Sequence, residues 1–324
     1  MRWSFFLLAA LPALAALDGT VMNLTSDKPQ AGVIVSLVQP GQQGMKELAK
    51  TTSAADGKFH IDMDPPEGPA LLQGSYQTVT YTFVLGPGQP HTGIVFNVYD
   101  VSKRPEIAKV TQHMVVLEPS PDKLLVNETF LVSNTSNLTL SDPFNGSLRI
   151  VLPEGAGEAK VLVQAGVVPV QRPAIETRQK GVYKVDYPVK PGETRFDVSY
   201  AMPAASTFSG RTVYKDAPTR LVSPAAVTLE GDGIVALGQE PTTQAHIYDT
   251  KGLTYTATIN GVGALRPPGG DAGEDPGSAG GPEIKQIRPK LYERLYWILG
   301  LTFAILALGF VLIYRRDAPE KQDS

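Results

Sequence analysis

Apolar residues recur at every second position along most of the chain between residues 18 and 263. In KFHIDM, 58–63, Phe59, Ile61 and Met63 fall on one side and Lys58, His60 and Asp62 on the other, which is the period of a half-buried strand. The same β-branched and aromatic habit runs through GVIVSLV (32–38), TVTYTFVL (78–85), GIVFNVYDV (93–101), HMVVLEP (113–119) and LLVNETFLVSN (124–134). It continues in GSLRIVLP (146–153), AKVLVQ (159–164), GVYKVDYPV (181–189), TRFDVSYAMP (194–203), AHIYD (245–249) and LTYTATING (253–261). No stretch in this span sustains an apolar i, i+3, i+4, i+7 pattern, so the expected fold class is all-β, built as sandwiches. The connections carry turn chemistry: Asp56-Gly57, Lys190-Pro191-Gly192-Glu193 and Asp249-Thr250-Lys251-Gly252 place Pro or Gly where tight turns need them.

The two ends break the pattern. Residues 1–15 set Arg2 before an apolar run and a small-residue site at Ala13-Leu14-Ala15, the plan of a signal peptide. Residues 295–314, LYWILGLTFAILALGFVLIY, are free of charge and would make about 30 Å of helix, enough to cross a bilayer. Tyr296, Trp297 and Tyr314 stand at its rims, with Arg315-Arg316 beyond, as interfacial anchors do. The stretch RPPGGDAGEDPGSAGGP, 266–282, has no large apolar residue and predicts a flexible stalk. The expected organisation is a signal peptide (1–15), a first sandwich (16–103), a second sandwich region (104–263), a stalk (264–290), a transmembrane helix (291–314) and a cytoplasmic tail (315–324). The expected location is the cell membrane, with one span and the N-terminal bulk extracytoplasmic.

Composition narrows the chemistry. A net charge of −3 with 29 Lys+Arg spread thinly along 324 residues provides no basic stripe, so nucleic acid is not an expected partner. The absence of cysteine removes disulfides, thiolate metal sites and cysteine nucleophiles. Four histidines, His60, His91, His113 and His246, form no H-x-x-x-H pair, and no G-x-S-x-G elbow, Walker loop or dinucleotide fingerprint occurs. No catalytic residue, cofactor or metal is therefore expected. The acidic exit 62–67, with Asp62, Asp64 and Glu67, lacks the Gly-turned spacing of an EF-hand and reads as a solvated strand end, with a weak calcium site as the alternative. Five N-x-S/T sequons start at Asn23, Asn127, Asn134, Asn137 and Asn145, and Asn, Ser and Thr clustered in turns account for them.

One segment carries a resemblance. Gly19-Thr20-Val21, Pro29-Gln30-Ala31-Gly32-Val33 and the hairpin from Thr51 through Asp56-Gly57-Lys58-Phe59 resemble the opening strands of the carboxypeptidase regulatory-like domain over residues 18–100. The pattern departs at the exit, where Glu67 is inserted before Gly68 and Ala70 stands where Tyr is usual. The resemblance implies a transthyretin-like sandwich with a carbohydrate-binding-like fold and no catalysis over residues 18–100; together with the strand pattern of residues 104–263, the expected fold is tandem immunoglobulin-like or transthyretin-like sandwiches. It also raises sugar binding, for which Tyr76, Tyr81 and Tyr99 are the candidate ligand contacts, although strand tyrosines are more often half-buried packing residues. The function expected is a non-enzymatic binding or scaffold component of a bacterial cell envelope whose partner is an envelope protein or polysaccharide. A carbohydrate-binding surface module and a hydrolase with an unrecognised site are the alternatives.

Overall fold

The computed structural model describes residues 16–41, 44–66, 68–86, 88–166 and 168–265. The expected signal peptide, stalk beyond residue 265, transmembrane helix and tail, together with Glu67, lie outside the described residues. Among those described, no helix is long and apolar enough to cross a membrane, and the fold is all-β as the alternation predicts. The N-terminal strands are β1 (Leu17–Asn23), β2 (Lys28–Pro29), β3 (Ile34–Gly41), β4 (Gly44–Thr52), β5 (Lys58–Ile61), β6 (Ala70–Tyr76), β7 (Val79–Leu85), β8 (Ile94–Val98) and β9 (Val101–Ser102). One sheet centres on β1, which pairs antiparallel with β2 and β5 and parallel with β8; the other runs β4-β3-β6-β7. Leu17, Val21, Phe59, Ile61, Phe96 and Val98 from the first sheet meet Val35, Leu37, Leu72, Val79, Tyr81 and Leu85 from the second in one core.

After a single 3-10 turn at Pro105–Ile107 come β10 (Ala108–Pro119), β11 (Lys123–Asn134), β12 (Thr139–Leu140), β13 (Leu148–Val151), β14 (Lys160–Gln164), β15 (Val170–Glu176) and β16 (Val182–Val185). They are followed by β17 (Gly192–Pro203), β18 (Thr207–Arg211), β19 (Thr219–Ser223), β20 (Thr228–Glu230), β21 (Ile234–Gln239), β22 (His246–Thr250) and β23 (Thr254–Asn260). Ten of these make one sheet in the order β13-β16-β15-β14-β17-β11-β10-β19-β22-β21, and β18-β23-β20 make a second. Their facing side chains, among them Leu117, Val126, Phe196, Val198 and Leu221 from the long sheet and Phe208, Leu229, Ala257 and Ile259 from the short one, form a separate and larger core.

Local chemistry explains the opening hairpin. Gly57 takes φ +77°, a conformation glycine adopts without a Cβ clash, and Asp56 Oδ1 accepts a hydrogen bond from Lys58 N at 3.1 Å. The turn delivers Phe59 onto Gly19, where the missing side chain leaves room for the ring. The expected alternation stops early, however. Strand β5 ends at Ile61, a tight turn from Met63 N to Ile61 O (2.9 Å) follows, and Met63 is exposed rather than inward.

Gly57→Val is expected to cost about 1–3 kcal/mol. Its Cβ would lie 2.7 Å from Pro29 Cβ and 2.8 Å from the Val21 carbonyl oxygen. Phe59→Ala should cost roughly 3–5 kcal/mol because the ring is buried, whereas Asp62→Ala on the outer face should stay within about 0.5 kcal/mol. Denaturant melts of the full chain check the ranking, and an Asp62 effect equal to that of Phe59 would show the strand reversed.

Candidate functional site

The three candidate tyrosines converge on one place, the joint between the two cores. Asn23 ends β1, Tyr76 ends β6, and Tyr99-Asp100 connect β8 to β9. Asp100 Oδ1 accepts hydrogen bonds from Asn23 Nδ2 at 2.8 Å and from Tyr76 Oη at 2.9 Å. Asn23, only 3% exposed, also donates to Gln30 Oε1 at 3.0 Å. Tyr81 is likewise 3% exposed; its hydroxyl reaches the Tyr99 carbonyl at 2.8 Å and Thr139 Oγ1 at 2.9 Å. Burial raises the pKa of both Tyr76 and Tyr81, so both hydroxyls stay protonated donors at neutral pH.

The second core grips the same place with its backbone. Strands β9 and β12 pair in parallel, Thr139 opposite Val101 and Leu140 opposite Ser102, and Leu140 and Val189 exchange both backbone hydrogen bonds at 2.9 Å. Thr25 Oγ1 donates to the Asn137 carbonyl and accepts from Asp100 N, while Asn137 Nδ2 donates to the Thr25 carbonyl. Lys190, next to Val189, holds its ammonium 5.0 Å from the Tyr81 ring centroid, within cation–π range. Burial lowers its pKa to about 8.

Three of the five sequons supply this hardware. In Asn23-Leu24-Thr25 and Asn134-Thr135-Ser136 the Asn Oδ1 accepts from the backbone N–H two residues on, at 2.9 and 3.0 Å, the Asx-turn such spacing favours. Asn134 Nδ2 then donates to Leu138 O and Val189 O. Asn23 and Asn134, 3% and 2% exposed, are structural residues with no room for an attached glycan.

The joint also holds a strained turn. Gln77 and Thr78 link β6 to β7 with φ +47° and +69°, a two-residue turn in which Asn-Gly is the favoured pair. Left-handed backbone is unfavourable for β-branched Thr. Gln77 clamps the turn: its Oε1 accepts from Val101 N at 2.7 Å and its Nε2 donates to Tyr76 Oη at 3.1 Å.

Elsewhere, no group of three or more His, Asp or Glu side chains suited to a metal occurs among the described residues, which do not include Glu67 of the acidic exit. His60 instead bonds Asp18 across β1 and β5, Nδ1 to Oδ1 2.6 Å. A polar network that sequence reading missed lies inside the second core. His113 Nε2 is 2.8 Å from Glu128 Oε2, Tyr200 donates to Glu128 Oε1 at 2.7 Å, and His113 stacks on Phe130 at 4.0 Å. Burial, and then the neighbouring Glu128 carboxylate, push the Tyr200 hydroxyl far above its ordinary pKa. Glu128 falls on the inward alternation Leu124, Val126, Glu128, Phe130, and that was its available signal. His113 was hidden because a bulge between Val110 and Gln112 shifts the inward register by one residue.

No family model matches the chain, and no curated protein matches it. Among solved structures, it is similar at 16% identity and a TM-score of 0.26 to an M1 zinc metallopeptidase from Deinococcus radiodurans. A mutant of that enzyme bound to a Tyr-Ser-Ala substrate gives 13% and 0.28. Each match covers 47% of this chain and 42% of the other. The chain thus spans less than half of these structures, and likeness at this level transfers neither fold nor activity.

Two outcomes are expected. Asp100→Ala removes the acceptor of the Tyr76 hydroxyl and one partner of the Asn23 amide, which keeps its bond to Gln30, and should cost roughly 1–3 kcal/mol. Tyr76→Phe leaves the Asn23 bond intact and should cost about 1 kcal/mol; equal losses in thermal melts would contradict the shared acceptor. For His60, the Asp18 hydrogen bond raises the folded pKa above the usual histidine value. Its contribution is therefore full below the unfolded pKa, near 6.5, and is lost as pH rises through the folded value. An NMR titration should place the His60 midpoint above that of the Asp18→Asn variant, and coincident midpoints would refute the pairing.

Proposed function

We propose that the chain is a non-enzymatic, single-pass, membrane-anchored binding or scaffold protein of the bacterial cell envelope. Its N-terminal core would be a carboxypeptidase regulatory-like, transthyretin-like sandwich followed by an immunoglobulin-like one, both held outside the membrane. The observation that carries this reading is the joint: side chains and backbone from both cores interlock there, so the two cores act as one arm rather than two beads on a string. A rigid arm on a Gly- and Pro-rich stalk suits holding a partner at a set distance from a bilayer. The apolar 295–314 segment and the leader-like 1–15 segment support anchoring and export. Protein rather than polysaccharide is the favoured partner, because the Tyr81 ring is enclosed and Tyr76 and Tyr81 direct their hydroxyls into the joint.

The test is affinity purification of the intact chain from crosslinked envelopes. The expected result is a reproducible envelope protein that is recovered with the wild type and depleted with Asp100→Ala, together with a C-terminal tail protected from external protease in sealed cells. Selective retention of a polysaccharide without any protein, or protease removal of the tail, would overturn the proposal.

A further inference from the structure

Strand β15 carries an arginine where an apolar residue is expected. Arg172 lies opposite Val161 in the β14–β15 pair, and directly opposed residues share a face. Val161 is 1% exposed in the larger core, and Ala174, two residues on from Arg172 and on the same face, packs against that core as well. Arg172 is thus turned inward, with its guanidinium carbon 5.6 Å from the Tyr187 ring centroid. Tyr187 is itself packed edge-on against Phe196 at 6.1 Å, so the ring that the cation contacts is held in place.

Inward cations are expected to have a counter-charge. Arg172 takes part in none of the ion pairs among the described residues, and its Nε is buried with no hydrogen-bond partner. It lines a cleft of about 690 Å³ beside the apolar side chains of Leu152, Ala156, Ala159 and Tyr183, with Lys160 and Glu158 also on the wall. Two cations against one carboxylate leave the wall with a net charge of +1. The volume is that of a small-molecule site, and such sites combine apolar walls with a few fixed polar groups.

We propose that this cleft is a ligand site for a small carboxylate with an apolar body, the carboxylate paired with Arg172 and the body lying against Leu152, Ala156 and Tyr183. The planar guanidinium fork matches a carboxylate, and the cation–π contact with Tyr187 restrains it in advance of binding. Only binding is assigned, with no reaction, and the site does not depend on the anchoring described above.

Equilibrium dialysis of the full chain against radiolabelled phenylacetate tests it. The expected result is saturable binding at one site per chain that the neutral phenylacetamide does not displace and inorganic phosphate displaces only weakly. Arg172→Gln should weaken binding about tenfold or more, with Arg172→Lys intermediate. Ala174 also lines the cleft, and Ala174→Leu, which adds bulk there and leaves Arg172 in place, should also weaken binding and serves as the readout if Arg172→Gln fails to fold. No saturable binding, equal binding by a folded Arg172→Gln variant, or displacement by the amide or by phosphate as effective as by unlabelled phenylacetate would overturn the proposal.

Discussion

Two hydrogen bonds to a single carboxylate oxygen, from Asn23 Nδ2 and the Tyr76 hydroxyl to Asp100 Oδ1, hold the chain at the point where its first core ends and its second begins. Burial makes this constraint strong. Asn23 has almost no contact with solvent, so water cannot replace a lost partner, and without Asp100 its amide would keep only Gln30 and the more distant Tyr76 hydroxyl as acceptors. Around it, the β9–β12 pair and the Thr25–Asn137 exchange connect the backbones of the two halves. The positive-φ turn at Gln77-Thr78 persists because Gln77 is bonded on both sides of its amide. A conformation unfavourable in isolation is thereby fixed by the contact it helps to make.

The second core contains polar groups of another kind. His113, Glu128 and Tyr200 bond to one another inside an otherwise apolar sandwich, and each of the three is buried. A closed network of this type satisfies its own donors and acceptors and adds directional contacts to a core whose other contacts are not directional. Arg172 contrasts with it: the same core holds this cation over an aromatic ring without supplying an acceptor for its inner nitrogen. The difference between a satisfied buried network and an unsatisfied group lining a cleft separates structural polarity from the polarity of a candidate site.

Much of the strand content was legible because alternation is a local property. Gly57 and Phe59 stand as their dipeptide turn and period imply. What was not legible depended on partners distant in sequence. Tyr81 reads as an ordinary strand aromatic until Thr139 and Lys190 are brought against it. The inward position of His113 follows from a bulge that no residue type announces, and Met63 was displaced from its expected face by a strand that stops two residues early. The sequons are the instructive case. Asn-x-Ser/Thr is both a modification signal and the spacing of an Asx-turn, and at Asn23 and Asn134 the turn geometry is what the side chains use. In β15 the alternation Val170, Arg172, Ala174 was present in the sequence, but its inward sense came only from the pairing with β14.

The central claim, that the joint makes one rigid arm of two cores, is most directly tested by a distance distribution between them. Because the chain has no native cysteine, spin labels can be attached at Thr82→Cys on β7 and Thr258→Cys on β23, both exposed strand positions. Pulsed electron double resonance on the full chain should give a single narrow distance peak that broadens when Asp100→Ala is added. A broad or multiply peaked distribution already present in the otherwise unaltered chain would contradict the account.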